Sequence, residues 1–183
     1  MPSRTAAPAT VSVRAVAREV EGRLIAPLPE ESSAALPSRG QVAVTAAVDG
    51  TLRTLVVEPD GRKGHWLELG AGPLAALGLG AGDTLELELT TGADWPEPEV
   101  PADLAAALEG AEDVQDTWAD ITPMARWEWV RWVGATRSED TRARRVEVSL
   151  DKMRHGKRRP CCFDLASCTD PELARSGKLI DPS

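Results

Sequence analysis

Three cysteines and a histidine near the end of the chain are the side chains best suited to metal or thiol chemistry. They are His155, Cys161, Cys162 and Cys168, spaced His-x5-Cys-Cys-x5-Cys. Three thiolates and one imidazole can hold zinc tetrahedrally, but this spacing is unlike the Cys-x2–4-Cys pairs of structural zinc sites. The basic run Lys157-Arg158-Arg159 lies just upstream, and nearby positive charge favours the thiolate. The sequence thus leaves three readings: plain reduced thiols first, then oxidisable thiols, then a metal site. No catalytic residue and no cofactor is assigned. G-x-S-x-G and H-E-x-x-H are absent. Carboxylates such as Glu86 and Glu88 alternate along a strand pattern, so no acid–base pair stands out. His65, beside Trp66, has no serine or cysteine motif near it in sequence and reads as a strand-edge side chain rather than a base.

The second chemical signal is RWEWVRWVGATRSEDTRARR, Arg126 to Arg145. Aromatic rings beside arginines can stack nucleic-acid bases; they also suit a packed helical hairpin with a charged outer face. At about 100° per residue, Ala125, Trp129, Trp132, Val133 and Thr136 share one helix face. Trp127 falls on the other, near Arg131. In the next segment Ala143, Val146, Leu150 and Met153 repeat with a 3-4-3 spacing, a packing seam. Glu139 precedes Arg142 by three positions and Asp140 precedes Arg144 by four, the order that favours local pairing. The reading is a hairpin with inward indoles and a self-paired basic face. Trp127, Arg131, Arg142, Arg144 and Arg145 are its candidate partner-binding side chains.

Charge weighs against nucleic acid. The 183-residue chain carries a net −8, divided as −12 over residues 1–122, +6 over 123–160 and −2 over 161–183. An acidic protein repels phosphate unless its basic face is local. The expected partner is an unidentified protein or small ligand. No apolar run is long enough to span a bilayer, the first residues make a poor signal peptide, and an odd cysteine count gives no disulfide framework. These point to the cytoplasm.

The elements that must position these residues change character along the chain. Residues 1–10 read as a disordered N-terminus. Residues 11–92 read as a small β-barrel domain of short alternating strands, with a hairpin turning at Asp49-Gly50. Within it LPEESSAAL, from Leu28, and LGAGPLAAL, from Leu69, echo each other 41 residues apart. Each copy reads strand, short helix, strand, and two such units can close one barrel. Residues 93–101, ADWPEPEVP, form a proline-rich acidic linker. Residues 102–160 read as helices, with Thr122 and Ser138 as N-caps and Gly156 as a stop. Residues 161–183 are a cysteine-containing tail.

Two stretches resemble known families. Arg126, Glu128, Val130, Trp132 and Val133, followed by Thr141, Arg142, Arg144 and Arg145, resemble the signature helices of the YdeI/OmpD-associated, or bacteriocin-protection, family. Asp140 and Trp127 depart from its usual pattern. Residues 11–91 are similar to the small-barrel domain of unknown function that often precedes that module and, more distantly, to AbrB and MazE regulators. The resemblance implies an α+β fold: a double-split, AbrB-like barrel with a pseudo-two-fold, followed by a small α-helical domain. It implies a non-enzymatic bacterial binding or protective protein, in stress or bacteriocin resistance, that can act as a monomer. The alternatives are an AbrB-type DNA-binding regulator, using the basic loops PSRG and GRKG, and a thiol or metal protein.

Overall fold

A computed structural model of the chain describes residues 7–160 and 169–181. Cys161, Cys162 and Cys168 lie outside the described residues, and with them the thiol and metal expectations; so do six of the first ten residues.

Seven strands form one antiparallel sheet: β1 (Thr10–Val16), β2 (Arg18–Val20), β3 (Arg23–Pro27), β4 (Val42–Val48), β5 (Thr51–Pro59), β6 (His65–Glu68) and β7 (Thr84–Thr91). Their spatial order is β1-β7-β4-β5-β6-β3-β2. The two edge strands, β1 and β2, are consecutive in sequence and separated only by Ala17. A sheet whose opposite edges are joined by one residue must curl until they meet. At that join the β1–β7 ladder runs on past Val16: Ala17 N–H donates to Asp83 O, and Gly82 N–H donates to Ala17 O, each at 2.8 Å.

Period-two patterning selects the concave face. Val11, Val13 and Ala15 point inward from β1, and Leu85 and Leu89 from β7, into a core with Val44, Val57 and Leu67. The β4–β5 hairpin turns at Asp49 (φ 49°) and Gly50 (φ 73°), the two left-handed positions a type I′ turn requires. β6 departs from alternation, because His65, Trp66 and Leu67 are all buried. Leu67 faces the sheet's core, while Trp66 joins a separate cluster with Val20, Ile25, Leu173 and Leu179. His65 is 1% exposed; β6 pairs with β3 on one side and β5 on the other, so the strand-edge reading is corrected.

The 41-residue echo falls on equivalent pieces of structure. The helix α1 (Glu30–Ala34) joins β3 to β4, and a 3₁₀ turn (Gly72–Leu77) joins β6 to β7. In both copies the flanking leucines are covered and the Ala-Ala pair is exposed.

Residues 92–101 run without helix or strand to four helices: α2 (Ala102–Glu109), α3 (Glu112–Asp120), α4 (Pro123–Gly134) and α5 (Glu139–Arg154). Thr122 and Ser138 accept from the backbone N–H of Ala125 and Thr141, respectively, satisfying donors that a helix start leaves free. α5 packs against α2, α3 and α4 around Leu104, Val114, Trp129, Val133, Val146 and Met153. Ala143 is exposed, so the seam begins at Val146, and the buried Ser149 hydroxyl donates to Arg145 O at 2.7 Å. Finally a short hairpin, β8 (Ala174–Arg175) and β9 (Lys178–Leu179), crosses back to the sheet. No helix among the described residues is long and apolar enough to cross a membrane.

Candidate functional site

Between sheet and helices lies a cleft of about 780 Å³. Its ionic floor is assembled from distant parts of the chain. Arg131 on α4 donates from Nη2 to Glu58 Oε1 on β5 at 2.5 Å. Gln41 donates to both Glu58 oxygens at 3.1 Å. Side-chain exposure is 14% for Arg131 and 12% for Glu58, so the pair is largely screened from water. Next to it Arg23 on β3 holds Glu68 of β6, at 2.5 Å, and Asp170, at 2.9 Å. Asp170 also lies 4.0 Å from Arg131. Burial opposes the charge on Arg23, but the hydrogen bonds it donates to Glu68 and Asp170, with the attraction of their charges, outweigh it and raise its pKa. The guanidinium stacks 5.8 Å from the centroid of Trp66.

The cleft's walls are less polar. Thr54, Leu55 and Val56 come from β5, and Gly72 and Pro73 from the 3₁₀ turn. Pro96, Pro101 and Trp127 form the helical side, with Glu99 and Glu172 at the rim. Counted over all lining residues, two arginines face five carboxylates, a net −3.

Trp127 is half-buried against the linker: its indole N–H donates to Pro96 O at 2.6 Å, and its ring lies 6.1 Å from Trp95. Arg131 is in the ionic floor. Arg142 reaches across to α2, donating to Asp103 at 2.5 and 2.9 Å. Arg145 donates to Trp132 O at 2.8 Å and sits 5.5 Å over the Trp132 ring, closing the C-terminus of α4. Arg144 is exposed on α5. His155 is exposed at the end of α5, 2.8 Å from Asp151 O. Of the five partner-binding candidates, then, Trp127 and Arg131 share the cleft, while Arg142, Arg144 and Arg145 do not line it. Among the described residues, no group of three or more His, Cys, Asp or Glu side chains is placed to hold a metal ion.

The basic face is neutralised differently from the local pairing expected. Arg126 pairs with Glu97, Arg142 with Asp103, Arg154 with Asp113, Arg158 with Asp120 and Arg159 with Glu128. Four of the five partners precede the basic segment. The acidic linker and helices α2–α3 thus meet the arginines that follow them. These bonds hold Glu97, Asp103 and Asp113 below the usual carboxylate range, because each accepts from its arginine.

One pairing had no sequence signal. His65 Nε2 lies 3.0 Å from Gly40 O, and Nδ1 lies 2.6 Å from Ser33 Oγ. A carbonyl only accepts, so Nε2 carries the proton and Ser33 donates to Nδ1. Burial lowers the His65 pKa and keeps the ring neutral. Neither side chain lines the described cavities; the pair ties α1 to β6 and is not exposed to a substrate. In the PSRG loop, Arg39 donates to Ser33 O and Leu36 O at 2.8 Å, which folds its guanidinium back onto α1 and the turn that follows it. Arg62 and Lys63 stay exposed.

Residues 12–89 match the model of a domain of unknown function (DUF1905), and residues 97–156 match the model described as bacteriocin-protection, YdeI or OmpD-associated. The helical module is thus similar to that family, and the sheet module that precedes it is similar to the domain of unknown function. No curated protein and no solved structure matches the chain.

Proposed function

We propose that the chain is a non-enzymatic binding protein with a role in bacteriocin protection, acting as a cytoplasmic monomer that receives an extended, basic segment of a protein partner in the cleft. The observation that carries this reading is the net −3 lining of a cleft about 780 Å³ in volume, bounded by both modules. Proline rings and the half-buried Trp127 offer flat apolar surfaces to an extended backbone. The rim carboxylate Glu99, together with Glu172, whose Oε2 already accepts from Arg23 at 3.1 Å, would attract lysine or arginine and steer its approach. An aromatic ring also attracts a cation over its face. The family description supports the protective role.

The finer fold belongs to the same proposal. A double-split barrel with a pseudo-two-fold is supported by β3 pairing with β6 so that Ala26 lies opposite Leu67, a residue 41 positions later. Ile25 opposite Glu68 then mirrors Trp66 opposite Pro27.

The test is fluorescence anisotropy with two labelled octapeptides of alternating glycine, one with lysine and one with glutamate, each at low and physiological salt. The lysine peptide is expected to bind with a dissociation constant of roughly micromolar order, weakening with salt. Equal affinity for both peptides, or none for either, refutes the reading. Binding of duplex DNA in preference to the lysine peptide would favour the regulator alternative instead.

A further inference from the structure

We propose that residues 169–181 are a clasp that locks the helical module against the sheet and fixes the width of the cleft. The inference concerns the geometry of the cleft, whatever fills it.

Direct contact between the modules is thin. Among the described residues, none of α2–α5 packs broadly against a strand of the sheet. The chief direct link is the ion pair of Arg131 with Glu58. The clasp adds a grip on each side. On the sheet, Leu173 is fully buried and Leu179 7% exposed, both packed on Trp66 and Ile25. Leu179 N–H donates to Asp60 O at 2.8 Å. On the helical side, Arg137, in the turn between α4 and α5, donates from Nε to Pro171 O at 2.6 Å and from Nη2 to Glu172 O at 3.2 Å. Between them the Asp170 carboxylate faces Arg23 of the sheet and Arg131 of the helices.

The sheet module carries a notch for this segment. Gly61, in the β5–β6 turn, has φ +74°, and a Cβ there would stand 2.0 Å from Gly177 O and 2.6 Å from Thr169 Oγ1. Any side chain at 61 collides with the docked clasp. Yet the clasp lies outside the residues that either family model matches. It is an addition that uses surfaces of both modules. A two-stranded hairpin this short does not hold itself, so its order depends on these contacts, and their loss would free it as a unit.

The test uses the full chain without any ligand, so failure of the peptide reading leaves it unaffected. Gly61→Ala attacks the sheet-side grip, and Arg137→Ala removes the hydrogen bonds of the helix-side grip from an exposed position, leaving only the 4.0 Å approach of Asp170 to Arg131 on that side. Hydrogen exchange is followed at Leu179 and Ile180, and thermal unfolding by calorimetry. Gly61→Ala is expected to speed exchange at both amides by about tenfold or more and to split one unfolding transition into two. Arg137→Ala is expected to split the transition while those amides stay protected. A single transition in Arg137→Ala overturns the lock. Unchanged exchange in Gly61→Ala shows that the clasp does not dock in the notch and overturns the proposal from the other side. Should Gly61→Ala fail to fold, Leu173→Ala releases the same grip from the clasp and is read by the same two measurements.

Discussion

Replacing Arg131 by methionine removes the more buried of the two arginines in the cleft. The substitution keeps an unbranched apolar stem and deletes the guanidinium that donates to Glu58 at 2.5 Å. Glu58 would keep its two bonds from Gln41, both from a neutral donor. Opposite unit charges about 4 Å apart attract by about 4 kcal/mol at an effective dielectric near 20. Removing one partner of a buried pair costs about 3–5 kcal/mol. Both side chains keep roughly an eighth of their exposure, which favours the lower end, about 3 kcal/mol. With a urea slope of about 2 kcal/mol per molar, the unfolding midpoint should fall by about 1.5 M. Glu58→Gln in the same background removes the stranded charge while leaving a side chain that bonds Gln41. The double variant should recover about 2 kcal/mol of the loss, a coupling expected only of groups in contact. Urea titrations of the wild type, both single variants and the double variant supply the complete cycle. A loss below about 1 kcal/mol for Arg131→Met, or strictly additive effects, would show that Arg131 and Glu58 do not form the pair described.

Three further outcomes follow from named contacts. Because burial depresses the His65 pKa, the unfolded chain takes up a proton that the folded chain refuses; stability should be full above about pH 6.5 and fall as pH drops through the folded pKa. Urea midpoints between pH 8 and 5.5 measure the slope, and a His65→Gln variant with the same slope would assign it elsewhere. Thr122→Ala and Ser138→Ala each remove an N-cap acceptor and should cost about 1 kcal/mol; chemical denaturation followed by circular dichroism reads this, and no change in either would mean that the helix starts are satisfied without these hydroxyls. Trp127→Phe keeps an aromatic wall but loses the bond to Pro96 O, so it should cost about 1 kcal/mol in a urea titration; an unchanged midpoint would detach the linker from α4.

Much of the local architecture is legible from spacing alone. Asp49-Gly50 marks its turn because few other residues accept two consecutive left-handed conformations. The alternation of DTLELELTT fixes which side chains of β7 enter the core, since successive side chains face opposite sides of a strand. Thr122-Pro123 and Ser138 mark helix starts by chemistry that needs no tertiary partner. The cleft was less visible. Arg131 and Trp127 stand out in a helix already rich in arginine and tryptophan, but Glu58 is one acid at the end of an apolar run, and Asp170 one of many in the chain. Ser33 and His65 likewise carry no motif, being 32 residues apart. Local pairing of Arg142 with Glu139 gave way to Asp103 because α2 brings a carboxylate across to the facing side of α5.

The sequence by itself determined the periodicities, the caps, the turn and the opposed charges of the two halves, all of which act between residues a few positions apart. Only the tertiary structure decided which charge meets which, because contacts such as Arg131 with Glu58, 73 residues apart, depend on the path of everything between them. The curl that joins β1 to β2 and the return of residues 169–181 set that path. They brought side chains unremarkable in the sequence around one cleft, where low water access makes their charges count.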